Sequence, residues 1–335
     1  MELEARHTRS VTGDDRAHGD WARYWRAGDQ ASGAMGPIEA MHAHFRSHVY
    51  HRHSHETYSF GVTDHGAQAF TCRGGTHVST AGMVMTFNPD DPHDGHSAST
   101  PGFTYRMIHI DPALVTELIG PGRSGRSTGP PLFPAPVVDD PALARRLRLL
   151  HTVLTGTSTP LEQQEHLTST VCLLARHASS AGVVSPVGAV SPAGWMPPDG
   201  ALPPGGGLSP GGALSPGGML FPGGDLTRPA SVLIARRIRA LLHDAYATPL
   251  TADDLAAAAG CSRYTATRAF TAVYGLPPSD YQRQLRLRAA RALLSAGTFP
   301  ADAAATVGFA DQAHLTRWFR RYYGVTPGAY RQACA

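Results

Sequence analysis

Three hydrophobic rhythms succeed one another along the chain. Between residues 37 and 135 apolar positions come in short, often alternating runs. Examples are Tyr58-Ser59-Phe60-Gly61-Val62, Gln68-Ala69-Phe70-Thr71-Cys72, Met83-Val84-Met85-Thr86-Phe87 and Tyr105-Arg106-Met107-Ile108-His109-Ile110. A period of two belongs to strands. His65-Gly66, Gly74-Gly75, Ala81-Gly82 and Asn88-Pro89 supply turns between them. Many short strands with frequent turns predict a small barrel or jelly roll over 37–138. From 139 to 180 the spacing changes to three and four. Leu143, Leu147, Leu150 and Leu154 make one stripe, and Leu167, Val171 and Leu174 another, with Thr155-Gly156 to Pro160 between. Two amphipathic helices follow. Their narrow, arginine-flanked stripes could pack on the barrel or on a second copy of the chain. The second use is favoured, which makes this a dimerisation segment and the protein a homodimer.

The third rhythm fills 230–335 and is helical throughout. Thr251 and Asp254 form a capping box for a helix over 252–259, and Gly260 supplies a tight turn. Ser262 caps a helix over 263–273. A long helix over 279–296 turns Tyr281, Leu285 and Leu293 inward and a row of arginines outward. The plan then repeats, with a helix over 301–306, Gly308 in the turn, Asp311 as cap and a helix over 312–322. These are two helix-turn-helix units in tandem, and such units lay a helix in the DNA major groove. On the second helix of the first unit, Arg263, Tyr264, Thr267 and Arg268 face outward while Ala266, Ala269 and Phe270 face in. On that of the second unit, Gln312, Ala313, Thr316 and Arg317 face outward, with His314 on the same side, while Leu315 and Phe319 face in. Arginine reads guanine bidentately and glutamine reads adenine. Arg320, Arg321, Arg286 and Arg288 are assigned to phosphate or solvent. The first reading helix is short in reach, so the second unit or DNA shape carries most of the specificity.

Two stretches lack a core-forming pattern. Residues 1–36 are polar and glycine-rich around Trp21-Ala22-Arg23-Tyr24-Trp25, and read as a loose arm whose aromatics dock on the barrel. Residues 181–222 are seven hexads, from AGVVSP to GGMLFP, each ending in proline. Proline at every sixth position argues against a β-helix. The segment 181–229 therefore reads as a flexible Gly/Pro linker that transmits little torque.

Charge sharpens the division. Residues 231–335 hold 13 arginines against six acidic residues, while the whole chain is only +3. A basic third on a mildly acidic front is the footprint of a nucleic-acid-binding domain attached to something else. The chain contains no lysine. Its four cysteines lie far apart, which fits a reducing compartment. The N-terminus has no apolar core of a leader and no run of 18 apolar residues occurs, so the reading is cytoplasmic, with no membrane association.

The stretch GFADQAHLTRWFRRYYGVTPGAYR, together with LTADDLAAAAGCSRYTATRAF, resembles the AraC/XylS family of bacterial transcription regulators over roughly 232–332. The resemblance implies two recognition helices held by a rigid connecting helix and reading successive major grooves of double-stranded DNA. It also implies an operator, and RNA polymerase as a further partner. The region with His53-Ser54-His55-Glu56-Thr57-Tyr58, Gly66-Ala67-Gln68 and 82–95 resembles the cupin-like effector-binding domain in front of many such regulators. That implies a barrel whose mouth takes a small molecule, with His53, His55, Tyr58, Phe87, His93 and Tyr105 as pocket residues. Arg73 or Arg106 would meet an anionic ligand.

His51, His53 and His55 share one strand face, and with His93 three imidazoles could converge on a metal. Metal-using cupins carry a glutamate several residues after the His-x-His pair. Here Tyr58-Ser59-Phe60-Gly61 stands in that place and Glu56 is displaced. The reading therefore assigns no metal and no cofactor, and it assigns no catalytic residue. The leading function is a sequence-specific transcriptional regulator that responds to a small-molecule effector. The alternative is a metal-dependent cupin enzyme fused to a DNA-binding tail.

Overall fold

A computed structural model describes residues 11–15, 19–27, 38–119, 130–179 and 229–334. The linker assigned to 181–229 lies outside the described residues, apart from its last residue, which opens a helix.

The front half is antiparallel β structure. Strands β1 (Val11–Asp15), β2 (Asp20–Ala27), β3 (Ile38–Phe45), β9 (Phe103–Ile110), β5 (Tyr58–Cys72), β7 (Val84–Phe87) and β10 (Val137–Val138) lie side by side in that order. A second layer is made by β4 (Tyr50–His53), β8 (His93–Ser97) and β6 (Gly75–Thr80), with β8 and β6 pairing the far half of β5. The 15-residue β5 serves both layers because its register slips between Thr63 and His65. The bulge also changes which residues face inward. Before it Tyr58, Phe60 and Val62 join the core on the outer face, and after it Phe70 and Cys72 join the core of the lumen.

Helices α1 (Pro112–Ile119), α2 (Pro141–Thr155) and α3 (Pro160–Leu174) cover that outer face. Asp140 caps α2 through the amides of Ala142 and Leu143, and Thr159 with Glu162 closes a capping box on α3. Leu143, Leu147, Leu150 and Leu154 are all buried, in one cluster with Ile38, Phe60 and Ile108. Leu167, Val171 and Leu174 belong to the same cluster. This corrects the assignment of those stripes to a partner copy: the chain's own sheet covers that of α2, and α1 and α2 cover that of α3. His151 of α2 is 2% exposed, bonds the Met41 carbonyl at 3.1 Å and meets Trp25 edge-on. Burial, and then the nearby Arg106, push its imidazole down to about 3.

The arm expected over 1–36 is corrected over 11–15 and 20–27, and the rest of it, apart from Gly19, lies outside the described residues. Residues 20–27 form β2, paired with β3 from Trp21–His44 to Ala27–Ile38. Ala22 and Tyr24 are buried core residues rather than docked ornaments.

The C-terminal half is all helical: α4 (Pro229–Asp244), α5 (Ala252–Ala259), α6 (Arg263–Tyr274), α7 (Pro278–Ser295), α8 (Pro300–Thr306), α9 (Gln312–Tyr323) and α10 (Pro327–Cys334). The caps foreseen at Thr251, Ser262 and Asp311 are formed. Gly308 sits at φ 84°, and a β-carbon there would lie 2.0 Å from the Ala247 carbonyl oxygen, so only glycine closes the turn before α9. Helices α4 and α10 fall in the stretch expected to be helical, though their bounds were not foreseen. The stripe Ala235, Ile238 and Leu242 carried the signal for α4.

Leu147→Ala should lower stability by about 2–5 kcal/mol, as for a buried leucine, with the oligomeric state unchanged. Chemical denaturation and light scattering check this; loss of a dimer without loss of stability would return the stripe to a partner. A second expectation concerns pH. A folded value near 3 lies below the ordinary histidine value of 6.5, so neutral His151 stabilises the fold fully above pH 6.5 and that stability drains away as pH falls toward 3. The fall is up to about 1.4 kcal/mol per pH unit for each such imidazole. Melting curves of His151→Leu should show a shallower acid slope than the parent, and equal slopes would remove His151 from the account.

Candidate functional site

The barrel lumen is built by alternation. Met41 on β3, Met85 and Phe87 on β7, and Tyr105, Met107 and His109 on β9 point to one side of the sheet, where His53, His55 and His93 arrive from the second layer. Five of the six predicted pocket residues line this space: His53, His55, Phe87, His93 and Tyr105. Tyr58 does not. It stacks on Phe60, meets Phe133 edge-on under the helices and donates its hydroxyl to the Pro131 carbonyl, because the first half of β5 presents its even positions outward.

The two arginines offered to an anionic ligand are engaged elsewhere. Arg73 is paired with Asp91 and donates to the carbonyls of Phe133 and Pro134. Arg106 shares Asp64 with Arg148.

Four imidazoles meet in the lumen. Ring centres lie 4.5 Å apart for His53 and His93, 4.9 Å for His53 and His55, 5.3 Å for His55 and His93, and 4.8 Å for His55 and His109. His53 Nδ1 donates to the His51 carbonyl at 2.6 Å and His93 Nδ1 to the Asp91 carbonyl at 2.8 Å. His109 Nδ1 pairs with Ser59 Oγ at 2.8 Å. Phe87 lies flat on His93, 4.0 Å between centres. Burial pushes His93 and His109 down to about 4 and moves His53 and His55 the same way, so all four rings are neutral at pH 7. His109 is a lumen residue beyond the six expected, although Tyr105, Met107 and His109 share one alternation.

The lumen is closed from above by the helical half. Tyr322 and Tyr323 of α9 and Arg291 of α7 complete its wall, and Tyr322 stands 5.7 Å from His53 between ring centres. What remains is a cavity of about 50 Å³, room for a very few waters or an ion, against the several hundred Å³ that a drug-sized ligand fills.

Specific polar contacts hold this lid. Tyr24 donates to the Tyr323 carbonyl at 2.5 Å. Buried Gln284 accepts from the Ser54 amide at 3.2 Å and donates to the Ser54 carbonyl at 2.9 Å, as a neighbouring strand would. Arg288 reaches Ser54 and Asp90, the latter at 3.0 Å. Arg291 is paired with Glu39, which also accepts from the Tyr330 hydroxyl at 2.8 Å. Gly324 lies against the barrel, where a β-carbon would stand 3.0 Å from the Phe45 ring.

This places two arginines differently from the expectation of phosphate or solvent. Arg288 belongs to the lid. Arg286 bonds the carbonyls of Tyr246 and Gly308 at 2.7 Å and of Thr248 at 2.9 Å, tying the two helix-turn-helix units together. Both lie on faces of α7 that pack on other elements, where an unpaired carbonyl would be costly.

The opposite faces of α6 and α9 remain open. Arg263, Tyr264, Thr267 and Arg268 are exposed on α6. Arg263 is paired with Asp253, and Arg268 sits 5.3 Å above the Tyr264 ring. On α9 Gln312, Ala313, Arg317, Arg320 and Arg321 are exposed. Thr316 is half-buried and bonds the Gln312 carbonyl at 2.8 Å. His314 is half-buried against Phe309 and accepts from the Trp318 indole at 3.0 Å, so it supports the helix flank.

Residues 36–171 match the family model of the AraC-like ligand binding domain, and residues 255–333 match that of a helix-turn-helix domain. The chain belongs to the AraC family of transcriptional regulators. It is similar to YbfI of Bacillus subtilis (strain 168), an uncharacterized HTH-type transcriptional regulator, with 25% identity over 267 residues, 78% of this chain and 80% of that protein. The transcriptional activator NphR of Rhodococcus sp is 40% identical over 109 residues, 32% of this chain and 30% of that one. A crystal structure of apo ToxT from Vibrio cholerae superposes with a TM-score of 0.51 over 89% of this chain and 98% of that chain at 10% identity, which establishes a shared fold. The regulator thus joins a ligand-binding β domain to a DNA-binding helical domain. No helix among its described residues is long and apolar enough to cross a membrane.

Proposed function

We propose that the regulator takes its small-molecule effector at the barrel mouth and reports it to DNA through the last turn of α9, the second reading helix. One observation carries this reading. Tyr322 and Tyr323 wall the lumen, while Gln312, Ala313 and Arg317 on the same helix face solvent. A single rigid helix therefore has one end in the effector cavity and its outer face free for a major groove.

The cavity of about 50 Å³ in this closed form is too small for an effector of drug size. Such a ligand binds only where the lid yields, so it favours an arrangement in which α9 is reseated. A ligand that binds the two arrangements differently shifts their equilibrium. The linker then need not carry torque, because the coupling passes through direct contact of the two halves. On this reading the barrel also restrains DNA binding. The front of the chain is net acidic and holds Arg288 and Arg291 against Asp90 and Glu39, which keeps negative charge beside helices that must approach phosphates.

Two outcomes test this. The double substitution Gln284→Leu/Arg288→Leu unhooks the lid from Ser54 and Asp90. It should raise effector-free affinity for DNA by about 10-fold, within the usual range of allosteric coupling, as read by fluorescence anisotropy. Unchanged affinity would mean that docking does not restrain reading. Arg317→Ala should cost about 1–3 kcal/mol on the specific site and relax preference at one base position. Equal losses on specific and random duplexes would make Arg317 a phosphate contact.

A further inference from the structure

We propose that His53, His55, His93 and His109 form a binding site for a divalent first-row transition ion of the zinc class, enclosed between the barrel and its helical lid. One ligand atom from each of His53, His55 and His93 lies within 4.8 Å of the others. His109 stands against His55 from the β9 side, with 4.8 Å between ring centres. The tautomers are set for coordination. A carbonyl can only accept, so the contacts to His51 and Asp91 fix a proton on Nδ1 of His53 and of His93 and leave a lone pair on each Nε2. Nδ1 of His109 meets the Ser59 hydroxyl, which can donate or accept, so Nε2 of His109 is a ligand in the tautomer that carries its proton on Nδ1. An imidazole that lends one nitrogen to a metal and anchors the other on a carbonyl or hydroxyl is the usual support of a metal site.

These lone pairs have no complement. No protein donor among the described residues is hydrogen-bonded to Nε2 of His53, His93 or His109, or to either ring nitrogen of His55. Convergent neutral acceptors in a cavity of about 50 Å³ call for a cation or for water as a donor. Four imidazoles and no coordinating carboxylate form a donor set that suits zinc, nickel or copper far better than magnesium or calcium.

Metal–nitrogen bonds of about 2.0–2.1 Å in a tetrahedron need nitrogens roughly 3.3–3.5 Å apart. The cluster must therefore contract, and His55, half-buried and with no hydrogen bond on its ring among the described residues, is the group able to swing. This inference goes beyond the effector reading and does not depend on it, since an ion can be held there whether or not lid and DNA are coupled.

The test uses the untagged full-length chain, stripped with a chelator and titrated with Co(II). The expected result is one ion per chain, with the intense visible absorption of a four-coordinate nitrogen site, displaced by Zn(II) and lost in His53→Gln/His93→Gln. Because that variant removes two buried rings, nitrogen-15 imidazole spectra of the unaltered chain provide a second readout. Zn(II) should move the ring signals of the four lumen histidines and leave exposed ones such as His96 in place. Absence of stoichiometric binding, undiminished binding by a folded double variant, or shifts confined to exposed histidines would each overturn the site.

Discussion

The ion pair of Glu39 on β3 with Arg291 on α7 is the contact on which the arrangement of the two halves depends. Both side chains are at least four-fifths buried, at 14% and 17% exposure. Removing one partner of such a pair strands a charge, yet the intact pair gains little over full hydration, because desolvation nearly cancels attraction. The consequence is directional. A pair of this kind fixes how the helical half sits on the barrel without gluing it there. Gln284 against Ser54 and Tyr24 against Tyr323 act alike: each satisfies a backbone group in one docking geometry, and water can satisfy the same groups when the halves part. An interface made of exchangeable polar contacts around a few aromatic rings can part without leaving those backbone groups unsatisfied.

That docking geometry gives the lumen its character. Without Tyr322, Tyr323 and Arg291 the histidines would face open water. With them, burial holds the imidazoles neutral and leaves their ring nitrogens convergent on a small space. The same closure ties the cavity to the reading helix, since α9 contributes to both.

Much of this was legible in the sequence because local chemistry decided it. The capping residues Thr251, Ser262 and Asp311 and the turn glycines made the helix-turn-helix units readable one by one. Alternation likewise identified the barrel. What was missed depended on tertiary contacts. Residues 20–27 carry too many polar and aromatic side chains to announce a strand, and only pairing with β3 makes them one. Tyr58 was placed in the pocket because the two orientations available along β5 differ by the bulge at Thr63–His65, which no residue type marks. Arg286, Arg288 and Arg291 look like any basic helix face until carbonyls and carboxylates from sequence-distant segments take them up. The leucine stripes of α2 and α3 have the same appearance whether they face a sheet or a second copy.

On the proposed function, the lumen and the DNA-reading face are two ends of one coupled unit. Hydrogen exchange of the full-length chain, with and without a specific duplex recovered from genomic fragments, decides whether they are. Coupling is reciprocal in binding free energy, so DNA held by α6 and α9 should change the exchange rates of amides in β4, β8 and the Ser54 segment, which no duplex touches. Changes confined to residues 251–334, with the barrel mouth exchanging as before, would contradict the account.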